Sequence, residues 1–151
     1  DISGDMLRYH NPDAALPAKF SAEFAVTAAL LEGTVSLRET TDGYVRRPEV
    51  QAFMRKVHVH TNQNYDPEDP KNSLYDELTV TLSNGNTVKS EQVRHALGNA
   101  RKPLPPESMR SKFLDCVRYG NPQVSGEKLL HMLENLEQLG NCRDLARAAV
   151  S

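Results

Sequence analysis

Arg8, His10, Lys19 and Ser21 are the side chains of this sequence whose types and nearness along the chain suit the binding of an anion such as a carboxylate or phosphate. Arginine and lysine are standing donors to carboxylate or phosphate, and a serine hydroxyl adds a neutral donor. Imidazole changes charge near neutral pH, so His10 suits either positioning a substrate or relaying a proton. A cationic cluster with one titratable member has the parts to bind an anion and relay a proton. The same residues also have plainer uses, His10 as a surface histidine and Lys19 as a lysine reaching into water. Arg101 and Lys102, ahead of Pro103, read as solvated charge.

The cluster needs elements to hold it. Pro17 suits the first position of a helix, where its missing N–H costs nothing, and Phe20, Phe24 and Leu31 then follow one face. This predicts a helix from about residue 17 to residue 32, stopped by Gly33. Lys19 would then stand in a first turn, where unpaired N–H groups and a partial positive charge ordinarily favour Asp or Glu. Two positive sources at one point would make an anion receptor. His10-Asn11-Pro12 reads as a loop just before it, and loops on rigid supports are where binding residues gather.

Other constellations carry less. His58 and His60 alternate along a predicted strand, Val57 to His60, and share a face, but a third metal ligand at useful spacing is missing. A polar edge opposite Val57 and Val59 is the plainer reading. Cys116 and Cys142 show neither metal nor disulfide spacing, and their amphipathic surroundings predict packed thiols. Phosphate loops, nucleophile elbows and Cys-x-x-Cys pairs are lacking, so the sequence holds no self-contained catalytic set.

At 151 residues the chain has the length of one ordinary domain. Its 38% hydrophobic and 25% charged residues describe a globular protein. A net charge of −2 without a dense basic run argues against nucleic acid as the main partner. Apolar runs fall short of the ~20 residues needed to cross a bilayer, so no membrane partner is expected and the cytoplasm is the expected location. The chain starts at Asp1 inside what reads as a strand end, Met6 to His10, so a preceding segment is expected.

Pro48 and Glu49 open a second predicted helix, with Val50, Phe53, Met54 and Val57 on one face. A polar loop is expected from Asn62 to Ser73, and Leu78, Val80 and Leu82 then alternate into an Asn84-Gly85 turn that returns the chain through Thr87 to Val93. A half-buried hairpin needs a cover, which predicts an α+β fold, a two-layer sandwich of an antiparallel sheet covered by helices. A helical C-terminal tail follows. Its first helix starts at Pro105-Pro106-Glu107, with a face of Met109, Phe113, Cys116 and Val117. The next is capped by Ser125 and carries Leu129, Leu133 and Leu136, and the last begins at Asn141.

Ala18-Lys19-Phe20-Ser21, the aromatic at Phe24, the run ending Leu30-Leu31-Glu32-Gly33, and Arg47-Pro48-Glu49-Val50 resemble the carboxy-terminal half of the MmgE/PrpD family. The resemblance continues in order through Thr79 to Gly85, Gly98 to Pro103-Leu104, and Ser111-Lys112-Phe113, spanning nearly the whole chain. It implies a cofactor-independent enzyme, without a metal, acting on a small polycarboxylate by proton abstraction next to a carboxylate. A 2-methylcitrate dehydratase-like lyase is the first expectation, with decarboxylase and epimerase activities of the family, or a noncatalytic binding and assembly domain, as alternatives. The resemblance further implies that residues 1–104 form a lid-like domain and residues 105–151 a tail packed on a helical domain N-terminal to Asp1. That domain would supply the main acid and base residues, and the enzyme would be a homodimer. Lys19, Ser21 and Arg8 are then the candidate substrate-binding residues and His10 the candidate catalytic one. Family members often carry tyrosine at the position of Phe24, which cannot donate the hydrogen bond or proton that a phenol can.

Overall fold

The computed structural model describes residues 7–61 and 64–150, and the chain divides into two compact units, the first ending at Pro103 and the second starting at Leu104. In the first unit a four-residue helix α1 (Ala15–Ala18) is followed by α2 (Ala22–Glu32), α3 (Asp42–Val45) and α4 (Pro48–Met54). The single helix expected from residue 17 is therefore split. Ser21 takes extended backbone angles and its hydroxyl accepts the N–H of Phe24 at 3.2 Å, so α2 has its own N-cap and the chain turns between the two helices. Gly33 ends α2 at φ +74, the left-handed conformation in which a Cβ is costly.

The core of this unit lies among these helices: Ala18, Phe24, Ala28, Tyr44, Val45, Val50 and Met54 are all buried. On α2 the buried stripe is Glu23, Phe24, Thr27 and Ala28, whereas Phe20 and Leu31, expected on the inner face, are exposed. The helix break accounts for Phe20, which it rotates out of the α2 register. Pro48 begins α4 as expected, and Val50 and Met54 are fully covered. α3 lies in what reads as a connector and is capped by Thr41, whose side chain accepts the N–H of Tyr44 at 3.3 Å.

Val57 to His60 forms no strand, Val59 is exposed, and so are His58 and His60. The predicted polar loop instead contains a hairpin, β1 (Tyr65–Asp66) with β2 (Asp69–Ser73), antiparallel with an irregularity between Tyr65 and Asp66. It is closed by Asp66, whose Oδ1 accepts the Glu68 N–H at 2.9 Å, a local turn device that hydrophobic periodicity does not register. Residues 62 and 63 of that stretch lie outside the described residues. The strand expected at Met6 to His10 is irregular from Leu7 onward, and Met6 is likewise outside the description.

The hairpin read from Asn84-Gly85 is present as β3 (Thr79–Thr81) and β4 (Thr87–Lys89), with Val80 opposite Val88. Gly85 sits at φ +84, and Asn84 Oδ1 accepts the Asn86 N–H at 2.9 Å. An Asp76–Val93 bridge continues the pairing outward. The mixed α+β class and the antiparallel pairing match the sequence reading, but the strands form two separate two-stranded sheets, and every residue from Thr81 to Arg94 is exposed. Two ion pairs tie the first hairpin to the segment after the second: Arg94 lies 3.3 Å from Asp66, and Arg101 lies 3.0 Å from Glu68.

In the second unit, α5 (Pro106–Gly120) packs on α6 (Gly126–Glu134), and a 3-10 turn (Leu136–Gln138) leads to α7 (Cys142–Ala148). Ser125 and Asn141 cap α6 and α7, their side chains accepting the N–H groups of Lys128 at 3.4 Å and Arg143 at 2.8 Å. Gly126 permits the close approach of α5 and α6, since a Cβ there would meet Leu114 Cδ2 at 3.0 Å. Val124, Leu130 and Ala148 are buried, while Leu133 and Leu136 stay exposed. Cys116 and Cys142 are free and exposed, contrary to the packed thiols expected; on α5 the inner positions fall to Phe113, Leu114 and Val117 instead of Cys116.

Candidate functional site

The site is assembled by one backbone hydrogen bond. The N–H of Tyr9 donates to the carbonyl of Phe20 at 3.3 Å, which lays the segment carrying Arg8 and His10 beside the turn carrying Lys19 and Ser21. The loop leading out of this contact is pinned from below. Asn11 takes φ +45, a left-handed turn that asparagine tolerates. Gln51 Nε2 donates to the carbonyls of Pro12 and Val45, both at 2.8 Å, and Arg46 Nε donates to the Asp13 carbonyl at 2.8 Å. Asp42 Oδ1 accepts the Ala15 N–H at 2.7 Å, supplying the cap that Ala14 cannot. Three contacts, from Asp42 of α3, Gln51 of α4 and Arg46 between them, therefore hold the chain from Pro12 to Ala15.

His10 and Ser21 converge on Glu23, a residue that the sequence reading did not single out. His10 Nδ1 lies 2.6 Å from Glu23 Oε1, and the Ser21 hydroxyl donates to Glu23 Oε2 at 3.0 Å. The carboxylate is buried, with 6% of its side chain exposed, whereas the imidazole is 69% exposed. Burial alone would raise the Glu23 pKa, but the hydrogen bonds from His10, its own backbone and Ser21, together with the His10 charge, bring it below the ordinary glutamate value. A signal for Glu23 was available: a Ser cap followed by an acid in the first helical turn marks a helix start.

Ser21 is 1% exposed, and its hydroxyl both accepts from Phe24 and donates to Glu23, so it braces the site from inside. Lys19 is exposed, has no ion pair or hydrogen bond from its side chain among the described residues, and stands at the C-terminal end of α1. The first-turn placement expected for it is thus corrected: Lys19 follows a helix end, where a cation is ordinary. Arg8 is exposed as well, its guanidinium 5.2 Å from the centroid of the Tyr9 ring. Arg101 is engaged by Glu68. Phe24, at the family's frequent tyrosine position, is 1% exposed and meets the Tyr44 ring edge-on.

A second buried carboxylate was also missed. Glu39 is fully covered and accepts from the Ser36 N–H at 2.8 Å, the Ser36 hydroxyl at 2.7 Å and Arg38 Nε at 2.6 Å. Burial opposes its charge, but these bonds prevail and hold its pKa down at about 2. Ser36-x-x-Glu39 is a capping-box spacing, legible in the sequence. Beside it the Tyr44 hydroxyl is buried, and burial, followed by the charge and hydrogen bonding of Glu32 and the charge of Glu39, pushes its pKa up to about 12. This group fixes the 33–41 connector.

Among the described residues no group of three or more His, Cys, Asp or Glu could hold a metal ion, and no helix is long and apolar enough to cross a membrane.

Comparison with known proteins gives this geometry its setting. The chain is 30% identical over 138 residues to cis-aconitate decarboxylase of Mus musculus, a match covering 90% of this chain and 27% of the relative. It is 30% identical over 127 residues to cis-aconitate decarboxylase of Homo sapiens, covering 83% of this chain and 25% of the relative. The chain thus spans about a quarter of the length of these curated relatives. The MmgE/PrpD C-terminal domain profile matches residues 2–138, nearly the whole sequence, and on that extent of agreement this chain belongs to the MmgE/PrpD family.

Proposed function

We propose that this chain is the C-terminal portion of a cytoplasmic, cofactor-independent lyase that acts on a small polycarboxylate, with His10 moving a proton at the carbon next to a substrate carboxylate. The observation that carries this reading is the exposed imidazole of His10 held at 2.6 Å by the buried carboxylate of Glu23. A histidine fixed through one ring nitrogen presents the other for proton transfer. Lys19 and Arg8, both exposed on the two segments that the Tyr9–Phe20 hydrogen bond joins, supply the positive charge that a substrate with several carboxylates needs, and Ser21 contributes through Glu23. The relatives are named for decarboxylating cis-aconitate, which favours loss of CO2 as the bond-breaking step over the dehydration expected first from the sequence. In either case charge left on carbon is held by the cations and discharged by a proton. The remaining acid and base groups are assigned to a helical domain that precedes this one in the full-length polypeptide.

The test is turnover of cis-aconitate and of 2-methylcitrate by the full-length polypeptide, with CO2 release scored against formation of the dehydrated acid. The 151 residues alone are expected to turn over neither acid, because donors without the complete acid and base set leave most of the barrier in place. A folded full-length polypeptide that acts on no polycarboxylate would instead make this a binding or assembly domain.

A further inference from the structure

We propose that Glu23 is a positioning residue that fixes the tautomer of His10, with Ser21 fixing Glu23 in turn. The inference deepens the reading of His10 as a proton-transfer group and rests on it, but its structural half stands separately. An ionised carboxylate only accepts hydrogen bonds. The proton shared across the 2.6 Å contact therefore belongs to His10 Nδ1, and neutral His10 carries its lone pair on Nε2. An unconstrained histidine favours the opposite tautomer, with Nε2 protonated.

Three features make this arrangement directional. Glu23 sits in the first turn of an eleven-residue helix, where its charge agrees with the unpaired N–H groups. Its second oxygen is occupied by the Ser21 hydroxyl at 3.0 Å, so the carboxylate cannot swing away from His10 without losing that bond. Ser21 is locked as the α2 cap and is 1% exposed. The relay thus runs from a buried anchor outward to an imidazole that is 69% exposed, and the one exposed member of the three is the one that would meet substrate.

The test begins with nitrogen-15 NMR of the imidazole in the unaltered chain at a pH where His10 is neutral. The expected spectrum has Nδ1 protonated, and Glu23→Ala returns His10 to the Nε2-protonated form. Wild-type His10 with Nε2 protonated, or an unchanged spectrum in Glu23→Ala, would overturn the proposal. In the full-length enzyme the isosteric Glu23→Gln is expected to lower kcat roughly 10- to 100-fold with KM little changed, since substrate contacts are untouched. A KM effect with kcat intact would also overturn it. Expected NMR results together with full activity in His10→Gln would leave the Glu23 coupling standing and dismiss His10 as the proton-transfer group.

Discussion

The rings of Phe24 and Tyr44 meet edge to face, their centroids 6.2 Å apart and their planes at 86°. The contact joins α2 to α3 at the centre of the helical core, and Arg47 lies over the Tyr44 ring at 4.8 Å, so the tyrosine is clamped from two sides. Because Ser21 and Glu23 are on the same turn of α2 as Phe24, the ring sets where the relay sits.

Phe24→Ala is accordingly expected to destabilise the chain by about 3–5 kcal/mol, the cost of emptying a fully buried aromatic site. Phe24→Leu keeps much of the volume but gives up the ring contact, a further ~0.5–1.5 kcal/mol beyond the change in burial. Urea unfolding at neutral pH measures both, and near-wild-type stability of Phe24→Ala would refute the assignment of this ring to the core.

Glu39 gives a stability dependence on pH with a definite sign. Its pKa falls from 4.5 to about 2 on folding, so its contribution is fully present above the unfolded value and is lost as pH drops from 4.5 toward 2. The stabilisation at neutral pH is on the order of 3 kcal/mol. Glu23, whose pKa is also lowered, acts in the same direction. Glu39→Gln should therefore flatten the acid limb of a plot of unfolding free energy against pH. An acid limb identical to that of the wild type would show that this carboxylate does not drive it.

Lys19→Ala tests the cation beside His10. Lys19 is exposed and its side chain unpaired among the described residues, so folding stability should change by less than about 0.5 kcal/mol. In the full-length enzyme kcat/KM should fall roughly 10- to 100-fold, the loss of a charge-assisted hydrogen bond worth ~1.5–3 kcal/mol. Unchanged kinetics would return Lys19 to solvent.

Leu133 and Leu136, 40% and 48% exposed, leave apolar area on the second unit that water does not favour. The isolated chain is expected to self-associate through it, and the full-length enzyme to be a homodimer. Sedimentation of the chain and of a Leu133→Gln, Leu136→Gln double variant decides for the chain. A wild-type monomer across the accessible concentration range contradicts the expectation.

What the sequence determined by itself is what neighbours along the chain can enforce. Pro48, Ser125 and Asn141 start their helices, Gly33 ends one, and Asn84-Gly85 turns a hairpin, since each acts through backbone angles or a cap within three residues. The α+β class follows from that punctuation. Tertiary structure decided the rest. The helix expected from Pro17 breaks where extended Ser21 caps α2 through the Phe24 N–H, and Asp42, far along the chain, caps the short α1 that is left. That break moves Lys19 to a helix end and brings Glu23 to His10, residues thirteen apart in sequence and 2.6 Å apart in space. Periodicity could not foresee it, because a buried carboxylate on an inner face is tolerated only once donors from elsewhere in the fold arrive to satisfy it.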